Sequence, residues 1–211
     1  MFALPKTTIV NRVVPKNSFD KYITTKQKKL FTEEIEKIKW VHKLSSETIN
    51  LTGIDAVEIQ IFEISVKKIS APFEILDIID KYIPYQIIFI LKWENSILLS
   101  ASQKHKHATN EDTCVIDWRF STDWFNRDEN KYQLDLKKSL DDVFANFCIT
   151  ISGKQKQKLS KLIDFEQRKK KLEFQISRLE NEIKNCKQFN KKVELNILLQ
   201  EKIREFEKFQ M

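Results

Sequence analysis

The sequence predicts an α+β fold. An N-terminal body with a mixed or antiparallel sheet and packed helices precedes a coiled-coil-like helical hairpin. Three observations carry this. Residues 1–150 hold β-branched runs of strand length set irregularly among amphipathic stretches. From Lys154 onward there is neither Pro nor Gly, and apolar side chains recur every three or four positions. The 211 residues are 41% hydrophobic and include 15 Phe, enough for a core plus an appendage.

Taken in order, residues 18–45 read as a long helix. Phe19, Tyr22 and Ile23 lead in, and Leu30, Phe31, Ile35, Ile38 and Val41 follow at helical spacing. Gly53 precedes AVEIQIFEISVKK, a β-branched run suited to a central strand. APFEILDIIDKYIP places Phe73, Leu76, Ile79 and Ile83 on one helical face, stopped by Pro84. YQIIFILKW and SILLSASQK flank Glu94-Asn95, so they form a hairpin. TCVIDWRFSTDWF is a further strand, and KYQLDLKKSLDDVFANFCI reads as a helix with Leu134, Leu140, Val143, Phe144 and Phe147 on one face. The resulting order is α-β-α-β-β-β-α, with the first crossover joining parallel strands.

In the tail, Leu172, Ile176, Leu179, Ile183 and Cys186 keep 4-3-4-3 spacing, a heptad seam. NCKQFNKK interrupts it. Phe189, Val193, Leu199, Ile203 and Phe206 form a second run, broadened by Leu195 and Leu198. Two amphipathic helices joined near residues 185–190 are expected, as an αα-hairpin or as one long helix with a hitch. Each seam side chain left in water would forfeit about 1.5–3 kcal/mol, so the stripe must be covered by the opposite helix or by a partner.

Charge divides the chain at the same place. Residues 1–150 carry 21 Lys+Arg against 21 Asp+Glu, whereas 151–211 carry 16 against 9 and supply the whole net charge of +7. The expected domains are therefore a body over 1–150 and a basic helical hairpin over 151–211. Two roles for the tail follow. In the first, it binds a protein partner or a second copy through its apolar seam. In the second, Lys154, Lys156, Lys158, Lys161, Arg168, Lys169, Lys170 and Lys171 contact the phosphates of DNA or RNA.

Several chemistries are excluded or weakened. With Gly53 and Gly153 as the whole glycine content, neither GxxxxGK[ST], GxGxxG nor GxSxG can occur, so no nucleotide cofactor is expected. Cys114, Cys148 and Cys186 are too far apart for a CxxC pair and suit reduced thiols. The start has too short an apolar run for a signal peptide, and no run approaches the roughly 18 residues of a membrane span. A cytoplasmic, membrane-free protein is expected.

KHKHATNEDTC, residues 104–114, concentrates His105, His107 and Cys114 with Glu111 and Asp112. A continuing strand would put both histidines on one side, the beginning of a metal site. The remaining ligands would lie across a turn, and Lys104 and Lys106 would repel a cation, so a solvated loop end is the better reading. Asp141 and Asp142 are adjacent on a helix and do not face each other. A metal-dependent nuclease remains an alternative built on Asp55, Glu58 and Glu63, followed by Lys67, although the spacing departs from the acid…acid-x-Lys pattern.

LPKTTIVNRVVPKNSF, IKWVHKLSSETINL, and VEIQIFEI followed by IPYQIIFIL together resemble the DUF4391 family of bacterial proteins. The strand ending FSTDW is similar to that family's strand with a Thr-acid-Trp ending, and KQFNKKVELN resembles the helical extension of many members. The resemblance implies no established activity. It implies an accessory role beside restriction or phage-defence enzymes, because such proteins are often encoded near methyltransferases and helicases. Members commonly carry a Tyr-Lys pair after the second hairpin strand, and here Lys104 matches while Gln103 replaces the tyrosine. The expectation is a non-catalytic interaction protein.

Overall fold

The computed structural model describes residues 2–110, 112–154 and 157–210. Contacts divide the chain into two units, Met1–Leu159 and Ser160–Met211.

The first unit is an α+β body around a mixed sheet with seven strands among the described residues, in the order β1 (Ile9–Val14), β2 (Ile35–Ser45), β3 (Glu58–Val66), β4 (Gln86–Trp93), β5 (Ser96–Lys106) and β6 (Cys114–Ser121), with β7 (Phe125–Asn126) also pairing β5. Neighbours are antiparallel except β3 and β4, whose parallel register runs from Ile59 opposite Gln86 to Ser65 opposite Lys92. A parallel neighbour demands a crossover, and Phe73–Tyr82, the third helix, supplies it. The hairpin at Glu94-Asn95 forms as the sequence predicts, with Glu94 at φ 50° in the left-handed region.

The expected long helix over 18–45 is not there. A 3-10 segment covers Lys16–Tyr22, α1 covers Thr25–Glu34, and the rest is β2. Thr24 accepts from the Gln27 amide and Gln27 answers with its side chain, a capping box that starts α1. Beyond Glu34 the apolar positions serve a strand. The register shifts between Ile35 and Lys37 and between Trp40 and His42, and these irregularities break the period-two pattern that would reveal β2. The first strand, β1, and α2 (Ser46–Ile49) add to the element order that the sequence predicts. The last body helix, α4 (Leu140–Ile151), is shorter than expected. Ser139 accepts from the Asp142 amide as its N-cap, and Lys138 sits at φ 64°, so residues 131–138 cannot lead into it helically.

The β3 and β4 strands are buried on both faces, as near-continuous apolar runs require. Alternate residues Phe62, Ile64, Ile87, Phe89 and Leu91 join Phe31, Ile35, Ile75, Leu76 and Ile79 in one core cluster. On the other face α4 packs on β3, β5 and β6 with Val143, Phe144 and Phe147 buried. Its Asp141 carboxylate accepts the backbone N–H groups of Ile54, Asp55 and Ala56 at 2.7, 3.1 and 2.7 Å. That loop closes tightly: a Cβ at Gly53 would collide with the Ala56 carbonyl oxygen.

The second unit is a helical hairpin of α5 (Leu159–Asn185) and α6 (Phe189–Gln210). Phe165 stacks on Phe209 at 4.6 Å, and Arg168 pairs with Glu205 at 3.6 Å, so the helices run antiparallel from a turn at residues 186–188.

Candidate functional site

The hairpin carries the residues the sequence singles out, and the structure sorts them into two faces. Leu172 is buried and Ile176, Leu179, Ile183, Leu199, Ile203 and Phe206 are half-buried along the seam. Val193 does not belong with them. At 44% exposed it lies outside the seam, and Leu195, 9% exposed, takes its place. Helical geometry explains the swap: Leu195, Leu199, Ile203 and Phe206 keep spacings of four and three, whereas Val193 is two residues, or about 200°, from Leu195.

Val193 instead continues an outward line. Phe189, Val193 and Ile197 recur every fourth residue on α6 and are 78%, 44% and 57% exposed. Val193, Asn196, Ile197, Gln200, Glu201 and Arg204 line a shallow depression of about 450 Å³ on that face. Phe174 on α5 is 68% exposed, two residues from Leu172 and therefore on the opposite side of its helix.

The basic residues do not gather on one side. Arg168, Lys169, Lys170 and Lys171 are consecutive on α5, and steps of about 100° point them around the whole helix. Arg168 pairs with Glu205 and lies 5.1 Å over the Phe209 ring, and Lys169 reaches Glu173 at 3.9 Å. Lys202 first, and Arg168 second, hold the Glu205 carboxyl below its ordinary range. Lys158 and Lys161 are exposed, and Lys154 is half-buried near Ser152. Lys156 lies outside the described residues.

KHKHATNEDTC ends β5. His105 Nδ1 lies 2.9 Å from Asp117 Oδ1, while His107, past the strand, accepts from the Thr109 amide at 3.2 Å. The two imidazoles therefore have separate partners. Asp112 is exposed, Cys114 is buried, and Glu111 lies outside the described residues. Among the described residues no group of three or more His, Cys, Asp or Glu is placed to hold a metal ion. The nuclease candidates also diverge. Glu58 pairs with Lys43 at 2.8 Å, Glu63 pairs with Lys92, and their odd spacing puts them on opposite faces of β3. Asp55 is exposed in the loop that Asp141 holds.

One further constellation lies in the body, outside the sequence-predicted candidates. Lys104 Nζ donates to Asp80 Oδ1, to the Asp80 carbonyl and to the Ile83 carbonyl at 3.1, 2.8 and 2.7 Å. Arg119 bridges Asp80 and Asp77, each at 2.7 Å, and donates to Ser100 Oγ at 3.3 Å. Burial pulls the Lys104 amine below its ordinary range, and the Asp80 carboxylate pulls it back up. All three Nζ hydrogens are engaged, two of them on carbonyls at the C-terminal end of α3, the crossover helix Phe73–Tyr82. This is a latch fixing that helix to β5 and β6. The sequence did hold a signal: Asp80 sits on the apolar face of its helix, and Leu98, Ser100, Ser102 and Lys104 alternate onto one side of β5.

The architecture is thus an α+β body followed by a helical hairpin that carries an exposed apolar line on α6. The chain belongs to the DUF4391 family: the model of this domain of unknown function matches residues 2–205, body and hairpin together. No curated protein and no solved structure matches it. Among the described residues no helix is long and apolar enough to cross a membrane.

Proposed function

We propose that this chain is a non-catalytic interaction protein whose body is a scaffold and whose hairpin provides the docking surface. The observation that supports the reading is the line Phe189, Val193 and Ile197, which stays in water although the seam beside it is covered. Burying each of these side chains would gain about 1.5–3 kcal/mol, a stabilisation the isolated chain forgoes. An accessory role beside DNA-directed defence enzymes, the setting implied by the family resemblance, fits a docking arm and rests on that resemblance alone.

A photo-crosslinking residue at position 197 of the full chain, expressed in cells, tests the reading. It should give a discrete protein adduct, with a second copy or a partner, that is absent when the same residue replaces the exposed Asp164 on α5. Identical adduct patterns at both positions, or none at either, would overturn it.

A further inference from the structure

We draw no further inference here: the strongest candidate, the outward apolar line Phe189, Val193 and Ile197 on α6, belongs to the docking surface already described, and with Arg204 and Lys208 interleaved there with the exposed Glu201 and Glu207 nothing in the structure shows what covers it.

Discussion

Lys104 Nζ lies 3.1 Å from Asp80 Oδ1, and the two side chains are 1% and 0% exposed. The pair joins a sheet residue to a helix residue 24 positions away, at the point where the crossover helix must end and turn toward β4. An unpaired charge at such depth is costly, so the latch is all-or-none in character.

Removing one partner should therefore cost far more than the pair adds to stability. Lys104→Met is expected to lose about 3 kcal/mol, because Arg119 still answers Asp80, and Asp80→Leu about 4–5 kcal/mol, because it strands both cations. The double change should cost less than the sum of the single ones. Urea unfolding followed by tryptophan fluorescence reads this cleanly, since all four Trp, at 40, 93, 118 and 124, lie in the body. A loss below about 1 kcal/mol in both single variants would show that the latch carries no weight.

Local chemistry made part of the molecule legible. Glu94-Asn95 between two apolar runs announced a hairpin, and the Pro- and Gly-free tail announced two helices, because turn and heptad signals act over a few residues. β2 was hidden for the opposite reason. Its two register irregularities leave Ile35, Ile38 and Val41 three apart, so they read as a continuation of the true helical spacing of Leu30 and Phe31 in α1. At the hairpin, a run that included Phe189 and Val193 blurred two faces that only the Leu195 register separates. The latch is half legible: Asp80 on the apolar face of its helix marks a buried carboxylate, but its partners Lys104 and Arg119 are set by the pairing of β5 with β6 and by the packing of the helix on them, not by spacing.

His42 makes the body acid-sensitive. Its Nδ1 lies 2.9 Å from Oγ1 of Thr8, the last residue of the 3-10 turn before β1, and burial lowers its pKa below the ordinary 6.5. The unfolded chain then takes up the proton first as pH falls, so this contribution is complete above 6.5 and shrinks below it. Glu34 acts further down. Hydrogen bonds from Lys68 and Ser70 hold its pKa below 4.5, so its contribution is present above 4.5 and is lost as pH falls through its folded value. Thermal melts should show Tm falling between about pH 7.5 and about pH 5.5, and His42→Gln should flatten that segment while leaving the lower acid limb. An unchanged slope in the variant would assign the effect elsewhere.

The seam assignment predicts a contrast between two aliphatic residues of the hairpin. Leu172 is 3% exposed and Val193 is 44% exposed. Leu172→Ala deletes buried methylenes and leaves a cavity, and it should cost about 2–4 kcal/mol. Val193→Ala removes methyls already in water and should stay within about 0.5 kcal/mol. The two readouts separate the units: helical circular dichroism follows α5 and α6 most strongly, while tryptophan fluorescence follows the body. Leu172→Ala should shift the dichroism transition, and Val193→Ala should shift neither. Equal losses from the two would place Val193 back in the seam, and the outward line on α6 would then have no claim to be a docking surface.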